Sequence, residues 1–273
     1  MYSQLSKVTQ NKLEKYLKNE VDMALKRRAR RVIEELDPKR GDKILEAGCG
    51  PGYYLRILSK LGLELKLYGL DVDQNALIKA RKIIGKMATN ADLTKRLPFK
   101  ENFFDKVFLS EVLEHISDDG KALNMIYRVL KPGGRLIITI PNKDHPFFWD
   151  PVNWVMERML GRHIRVGLWA GIWSNHLRLY SVEEIKRLVK KRGFSVIYVE
   201  PLTWWSLPFN QNILYGGKLK LLPGGVSNVI SKQISSDNLP KRIILKFLNL
   251  NDRLNDIFRS EKIGVSILIV AQK

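Results

Sequence analysis

The chain has 273 residues, a single cysteine, and 47 lysines and arginines against 28 aspartates and glutamates. That length fits one decorated domain with a full core, and a 45% hydrophobic content excludes a disordered chain. One cysteine excludes a disulfide framework and a cysteine-built zinc site, so a reducing cytoplasm is the expected compartment and no metal is expected. A formal charge of +19 implies anionic partners such as lipid headgroups, nucleic acid or phosphorylated molecules, unless it serves solubility alone. Residues 141–273 carry 20 basic and 10 acidic side chains, against 16 and 12 over residues 41–140. The excess therefore lies outside the central stretch.

Residues 4–36 read as two helices, with Val21, Leu25, Val32 and Leu36 as an intermittent apolar stripe. Lys26-Arg27-Arg28-Ala29-Arg30-Arg31 interrupts it. Successive helical residues lie about 100° apart, so four arginines cannot share one face. The early lysines and the lack of an apolar run at residues 1–20 give no sign of a signal peptide. Asp37-Pro38-Lys39-Arg40-Gly41 is a turn.

Ile44-Leu45-Glu46-Ala47-Gly48-Cys49-Gly50-Pro51-Gly52 then reads as a buried parallel strand that ends in a tight turn and opens a helix. Glycine is required where backbone takes φ > 0 or where a ligand lies against the main chain. Such a turn makes a floor for an adenosine-type ligand at the carboxyl edge of a sheet. A dinucleotide site needs G-x-G-x-x-G, but here Gly48, Gly50 and Gly52 alternate and Tyr53 holds the place of the third glycine. Glu46 beside the turn suits a cationic ligand rather than a diphosphate. Leu65–Asp71 is a second strand ending in an acid about 20 residues on, where a ribose-binding carboxylate is expected. Val72 offers an apolar face to a base, and Asp73 can cap a helix over Gln74–Gly85. Asn90-Ala91-Asp92-Leu93 ends a third strand. Phe103–Ser110 is a fourth, followed by Glu111-Val112-Leu113-Glu114-His115. Val129–Pro141 holds a helix end, a Gly133-Gly134 turn and a fifth strand.

The E-x-G-x-G-x-G run, with Asp71, Asp92 and the strand order, resembles the class I S-adenosylmethionine-dependent methyltransferases over roughly residues 40–200 and the last ten. The resemblance implies a Rossmann-like α/β three-layer sandwich with a seven-stranded, mostly parallel sheet whose last strand is antiparallel. It implies S-adenosylmethionine as cofactor, with Glu46, Gly48, Gly50, Gly52, Asp71, Val72, Asp92 and Leu93 as contacts. In that family the acid matching Asp92 accepts from the adenine amino group, and Glu111 would line the cofactor or acceptor pocket. His176-Leu177-Arg178-Leu179-Tyr180-Ser181 and the following helix resemble the small-molecule branch, including quinone-biosynthesis methyltransferases. In many members an N-terminal helix covers the cofactor pocket, a place for Tyr16 or Arg27. Amino-methylating nucleic-acid enzymes carry an (Asp/Asn)-Pro-Pro-aromatic run after strand four, absent from Ser110-Glu111-Val112-Leu113. Cytosine-C5 enzymes need a cysteine there.

Asn142–Tyr180 is long for a connection and rich in aromatics, which suggests a largely helical cap over the acceptor. Ser181-Val182-Glu183-Glu184 is a capping box opening a helix through Lys191, and Ser195–Glu200 is strand six. Residues 201–262 form a second insertion, tryptophan-bearing, broken by proline and basic, suited either to a membrane surface or to packing on the first. Ile263–Ala271 is too short to span a bilayer and reads as the final strand.

The expected division is residues 1–39 as helices over the cofactor pocket and residues 40–273 as the catalytic domain, with caps at 142–180 and 201–262. The expected function is methyl transfer from S-adenosylmethionine to an apolar small-molecule acceptor, lipid or quinone-like, at an anionic membrane surface. Methyl transfer needs a base only when the acceptor must lose a proton. His115 is the first candidate and His176 the second, each with the alternative of a locally hydrogen-bonded histidine; His145 and His163 read as incidental. The other readings are an RNA-directed methyltransferase using the basic surface and a non-catalytic S-adenosylmethionine-binding protein.

Overall fold

The computed structural model describes residues 5–18, 20, 22–166, 168–205 and 255–273. Val21 of the expected apolar stripe, and most of the second insertion, lie outside the described residues. Seven strands form one sheet: β1 Lys43–Ala47, β2 Lys66–Asp71, β3 Ala88–Asn90, β4 Phe104–Ser110, β5 Leu130–Pro141, β6 Ser195–Leu202 and β7 Ser266–Gln272. Their order is β3-β2-β1-β4-β5-β7-β6. The pairs from β3 across to β5 are parallel, and β7 enters antiparallel between β5 and β6. This is the expected Rossmann-like sandwich.

Strand periodicity sorts the core into its two sides. Ile44, Phe108, Ile137, Leu268 and Val270 face one layer, while Leu45, Val107, Leu109, Leu136, Ile138 and Ile269 face the other. On the first side lie α2 (Met23–Leu36), α3 (Tyr53–Ser59) and α4 (Gln74–Ile84), and on the second α5 (Asp119–Val129) and α7 (Val182–Lys191). The shorter α1 (Lys7–Leu17) adds Leu13 and Leu17 to the first side. With α2 burying Ala29, Val32, Ile33 and Leu36, the amino-terminal segment forms part of the sandwich itself. Each fully buried Val, Ile or Leu contributes about 1.5–3 kcal/mol before entropy is counted.

The arginine run of α2 divides as helical geometry demands. Arg30 pairs with Glu14, Arg31 with Glu34, Glu35 and Glu200, and Arg27 lies over the Trp204 ring. Arg28 alone of the four pairs with Glu111 at the carboxyl end of β4.

Two strand boundaries differ from expectation. β3 stops at Asn90, so Asp92 and Leu93 lie on the loop beyond it. The Gly133-Gly134 turn is a bulge inside β5: pairing steps from Phe104↔Leu130 to Lys106↔Arg135, and Gly133 takes φ +74°. The first insertion is only partly helical, with α6 at Pro151–Leu160 and 3₁₀ turns across Leu168–Trp173. Trp149, Ile172, Trp173 and Leu179 give it a small core against Ala24 and Val265.

Candidate active site

Three parallel strands end beside the glycine turn. Gly48, Gly50 and Gly52 all take positive φ, and the Gly48 and Cys49 amides donate to the Leu70 carbonyl at 2.7 and 2.8 Å. The turn is thereby fixed to the end of β2. There the Asp71 carboxylate accepts from the Gly50 amide at 2.6 Å and the Asp73 amide at 2.8 Å. Asn90 donates its side-chain amide to the Asp71 and Val72 carbonyls, which holds Val72 outward and 68% exposed. Asp73 caps α4 by accepting from the Asn75 amide.

Glu46 is buried, and its Oε2 has no hydrogen-bond partner. Burial lifts its carboxyl well above the ordinary range; the Leu55 amide opposes the shift and Asp71 reinforces it. A carboxylate in that state is stabilised by a cation. A Cβ on Gly50 would meet nothing within 4 Å, so the turn is open on that side. On the next loop Asp92 accepts from the Thr94 amide and hydroxyl through one oxygen, which lowers its pKa, and Leu93 is buried.

The loop after β4 lies against the turn. A Cβ on Gly48 would overlap both methyl groups of Val112, at 2.8 Å from Cγ1. Glu111, next to Val112, takes φ +57°, a conformation unusual for a residue with a side chain and concentrated at functional sites. Its amide donates to the Thr139 carbonyl, its Oε2 pairs with Arg28 at 3.1 Å, and its Oε1 is buried without a partner. Burial works against the Arg28 charge, but Glu111 and Tyr54 outweigh it and raise the guanidinium pKa. Tyr54, Ser110 and Thr139 continue the network through hydroxyl contacts of 2.9 Å.

One turn on, Leu113–His115 is 3₁₀ and brings Glu114 inward. Glu114 is fully buried, with neither carboxylate oxygen bonded, and burial, then Glu111, lifts its pKa well above the usual range. His115 Nδ1 lies 2.9 Å from the Asn175 carbonyl oxygen. A carbonyl only accepts, so Nδ1 is the donor in this contact. The His176 ring lies 4.9 Å from that of His115, and burial, then His115, pulls its pKa down to about 4. The two Nε2 atoms lie 3.9 Å and 4.0 Å from Glu114 Oε1.

The insertion that supplies His176 is ordered by buried polar contacts. Asp150 accepts from the Asn153 side chain at 2.8 Å and the Ile172 amide at 2.9 Å, and Asn153 accepts from the Ile164 amide. His145 is buried nearby, and His163 stacks flat on Trp173 at 3.6 Å.

A family model described as a methyltransferase domain matches residues 20–199. The chain belongs to this methyltransferase family. It is 34% identical over 115 residues to the uncharacterized methyltransferase YdaC of Bacillus subtilis, covering 41% of this chain and 64% of that protein. To a demethylmenaquinone methyltransferase of Staphylococcus aureus it is 27% identical over 187 residues, covering 64% of this chain and 76% of the other. The crystal structure of a SAM dependent methyltransferase from Archaeoglobus fulgidus matches with a TM-score of 0.56 at 19% identity, covering 95% of this chain and 97% of that one. Family and fold are those of the class I S-adenosylmethionine-dependent methyltransferases. The chain spans from about half to just under two thirds of the length of the first curated relatives it matches.

Within this methyltransferase fold the sequence-predicted residues fall into three groups. Glu46, the three glycines, Asp71 and Val72 surround the turn; Glu111, His115 and His176 stand beyond Val112. Asp92 and Leu93 occupy the loop after β3. Two further residues at this edge escaped the sequence reading. Glu114 was adjacent to a chosen histidine, and only its burial distinguishes it. Arg28, rather than Arg27 or Tyr16, reaches the loop after β4, and only the docking of α2 decides it.

Proposed function

We propose that this chain transfers a methyl group from S-adenosylmethionine to an apolar small-molecule acceptor, lipid or quinone-like, drawn from an anionic membrane surface. The observation that carries the reading is the contact of Gly48 with Val112, which joins the glycine floor and the histidine-bearing loop in one cleft edge. The turn fits the cofactor on two counts: the orphaned Glu46 oxygen suits its ammonium, and the open side of Gly50 suits a ligand laid on backbone. In this reading Asp71 holds the ribose, Val72 and Leu93 flank the adenine, and Asp92 accepts from its amino group. Glu46 and the glycines hold the amino-acid end. When bound, the cofactor supplies a methyl group on sulfonium with a good leaving group.

The remaining work is to orient the acceptor and exclude water. Glu111, fixed by Arg28, lines the boundary between cofactor and acceptor. His115 and His176 stand at the acceptor end, where a group that takes or holds a proton is wanted. The aromatic insertion covers that end.

A membrane source is supported by the exposed apolar side chains Met159, Leu160 and Val166, at 76%, 62% and 84%, interleaved with Arg158, Arg162 and Arg165. No helix among the described residues is long and apolar enough to cross a membrane; the contact proposed is peripheral, on the cytoplasmic face. The demethylmenaquinone methyltransferase among the relatives supports a quinone-like acceptor. The test is to incubate the protein with methyl-labelled S-adenosylmethionine and a cell extract separated into lipid, RNA, protein and soluble fractions. Label in the lipid fraction is the expected result; label in RNA would favour the basic surface as a nucleic-acid footprint. Cofactor binding without transfer to any fraction would indicate a non-catalytic protein. Failure to sediment with anionic liposomes at low salt would remove the membrane half.

A further inference from the structure

We propose that Glu114, His115 and His176 bind one divalent transition-metal cation at the acceptor end of the cleft. This deepens the methyl-transfer reading and rests on it for its chemical role. The three residues each offer a ligand atom, and these atoms lie within 4.8 Å of one another. Both imidazole Nε2 atoms lie within 4.0 Å of the same carboxylate oxygen. That is an awkward arrangement for the groups alone. Neither Glu114 oxygen finds a hydrogen-bond donor although the residue is fully buried. The second carboxylate, Glu111, adds negative potential and keeps one of its own oxygens buried and unpartnered. A cation among the three groups answers the unpartnered Glu114 carboxylate.

The geometry and the ligand types are consistent with that assignment. With ligand distances of about 2.1 Å, atoms sharing a tetrahedral or octahedral ion lie roughly 3.0–3.4 Å apart, so the observed 3.9 and 4.0 Å require a contraction of about half an ångström or more. The contraction, larger for a pair at the 4.8 Å limit, has to come from rotation of the three side chains. The His115 N–H on the far side of the ring goes to the Asn175 carbonyl, the support that orients metal-ligating histidines generally. Two imidazoles and a carboxylate suit Mn, Fe, Co and Zn in the divalent state better than Mg or Ca. Three protein ligands leave positions open.

The open positions assign the acceptor class: a hydroxyl, phenolic or enolic, on the apolar molecule. With the two histidines serving as ligands rather than as proton acceptors, a hydroxyl bound to the ion would release its proton to solvent, and its oxygen would carry the negative charge. An oxygen lone pair then forms the bond to the methyl carbon as the carbon–sulfur bond breaks. The electron pair of that bond returns to sulfur, leaving a methyl ether and a neutral thioether. No change of metal oxidation state is involved.

The test is titration of the full chain, stripped with a chelator, by Co²⁺ followed through its visible absorption, with Zn²⁺ as competitor. One Co²⁺ per chain is expected, displaced by Zn²⁺. Glu114→Gln, which keeps the shape of a buried side chain, and His176→Ala are each expected to weaken binding at least about 100-fold. His115→Ala, at a residue 42% exposed, provides a variant for which folding is not at risk, and its binding is expected to fall in the same way. No Co²⁺ binding by the wild-type chain, or equal binding by wild type and all three variants, would overturn the site. Calorimetry with S-adenosylmethionine on the stripped protein separates the two claims. Cofactor heat without metal binding sinks the cation and leaves methyl transfer standing. Metal binding without cofactor heat does the reverse.

Discussion

Replacing Gly48 by alanine probes the junction on which the cleft depends. Gly48 sits at φ +82°, where an L-residue costs about 1–2 kcal/mol. Its new methyl would lie 2.8 Å from Val112 Cγ1 and closer still to the other methyl. Val112 cannot turn away cheaply, because it is β-branched and the Glu111 amide beside it is tied to Thr139. Overpacking of this kind costs about 1–3 kcal/mol, so the expected total is about 2–5 kcal/mol. With an unfolding entropy of about 2.1 cal/mol/K per residue, the melting temperature should fall by roughly 4–9 °C. S-adenosylmethionine affinity should fall with it, since the displaced loop carries Glu111 and His115. Val112→Ala makes room for the methyl. The double variant Gly48→Ala/Val112→Ala should therefore be more stable than the two single effects predict, by at least about 1 kcal/mol, while the backbone cost remains. Urea unfolding of the four proteins gives the coupling directly. Strict additivity would mean that the turn and the loop do not touch.

The other predictions concern the charged and strained positions around that junction. Glu46 has a folded-state pKa raised above its unfolded value, so the folded apo-protein holds the extra proton and stability should decline as pH rises through the raised value. Cofactor affinity should move the opposite way, strengthening with pH as the carboxylate ionises, and Glu46→Gln should flatten both curves in calorimetry and thermal melts. Arg28→Met strands the partly buried Glu111 carboxylate and should cost about 2–4 kcal/mol, below the 3–5 kcal/mol of a fully buried pair; adding Glu111→Gln should recover part of it in denaturant titration. Gly171→Ala would force a methyl against the Asp150 carboxylate at a glycine with φ +48°. Limited proteolysis should then open residues 142–180, and methyl transfer should drop, while the sheet keeps its cooperative unfolding.

The parts of this molecule that were legible in its sequence are those fixed by local chemistry. Gly48, Gly50 and Gly52 announce positive φ because no other residue takes it freely, and Asp73 and Ser181 announce helix starts because their side chains accept from the backbone nearby. β1 and β4 read as buried strands from the short apolar runs Ile44-Leu45 and Val107-Phe108-Leu109. What distance alone creates was not legible. His115 and His176 are about sixty positions apart, and their meeting over Glu114 follows from the path of the insertion, which no periodicity encodes. Glu114 looks in sequence like any solvated glutamate. Arg28 is one of four arginines in five positions, and only the docking of α2 decides which reaches Glu111. The bulge at Gly133 hides inside what reads as a turn before a strand, because a bulge and a turn use the same residues.

The central claim, that the turn after β1 and the acid after β2 hold S-adenosylmethionine, is tested most directly by calorimetric titration of the wild-type chain and of Asp71→Ala. Asp71 fixes the Gly50 amide and offers the ribose its carboxylate, so the account predicts one cofactor per chain and a loss of about 10- to 100-fold in affinity for the variant, the equivalent of one or two charge-assisted hydrogen bonds. Heat with a nicotinamide dinucleotide and none with the methyl donor, or identical titrations for the two proteins, would contradict it.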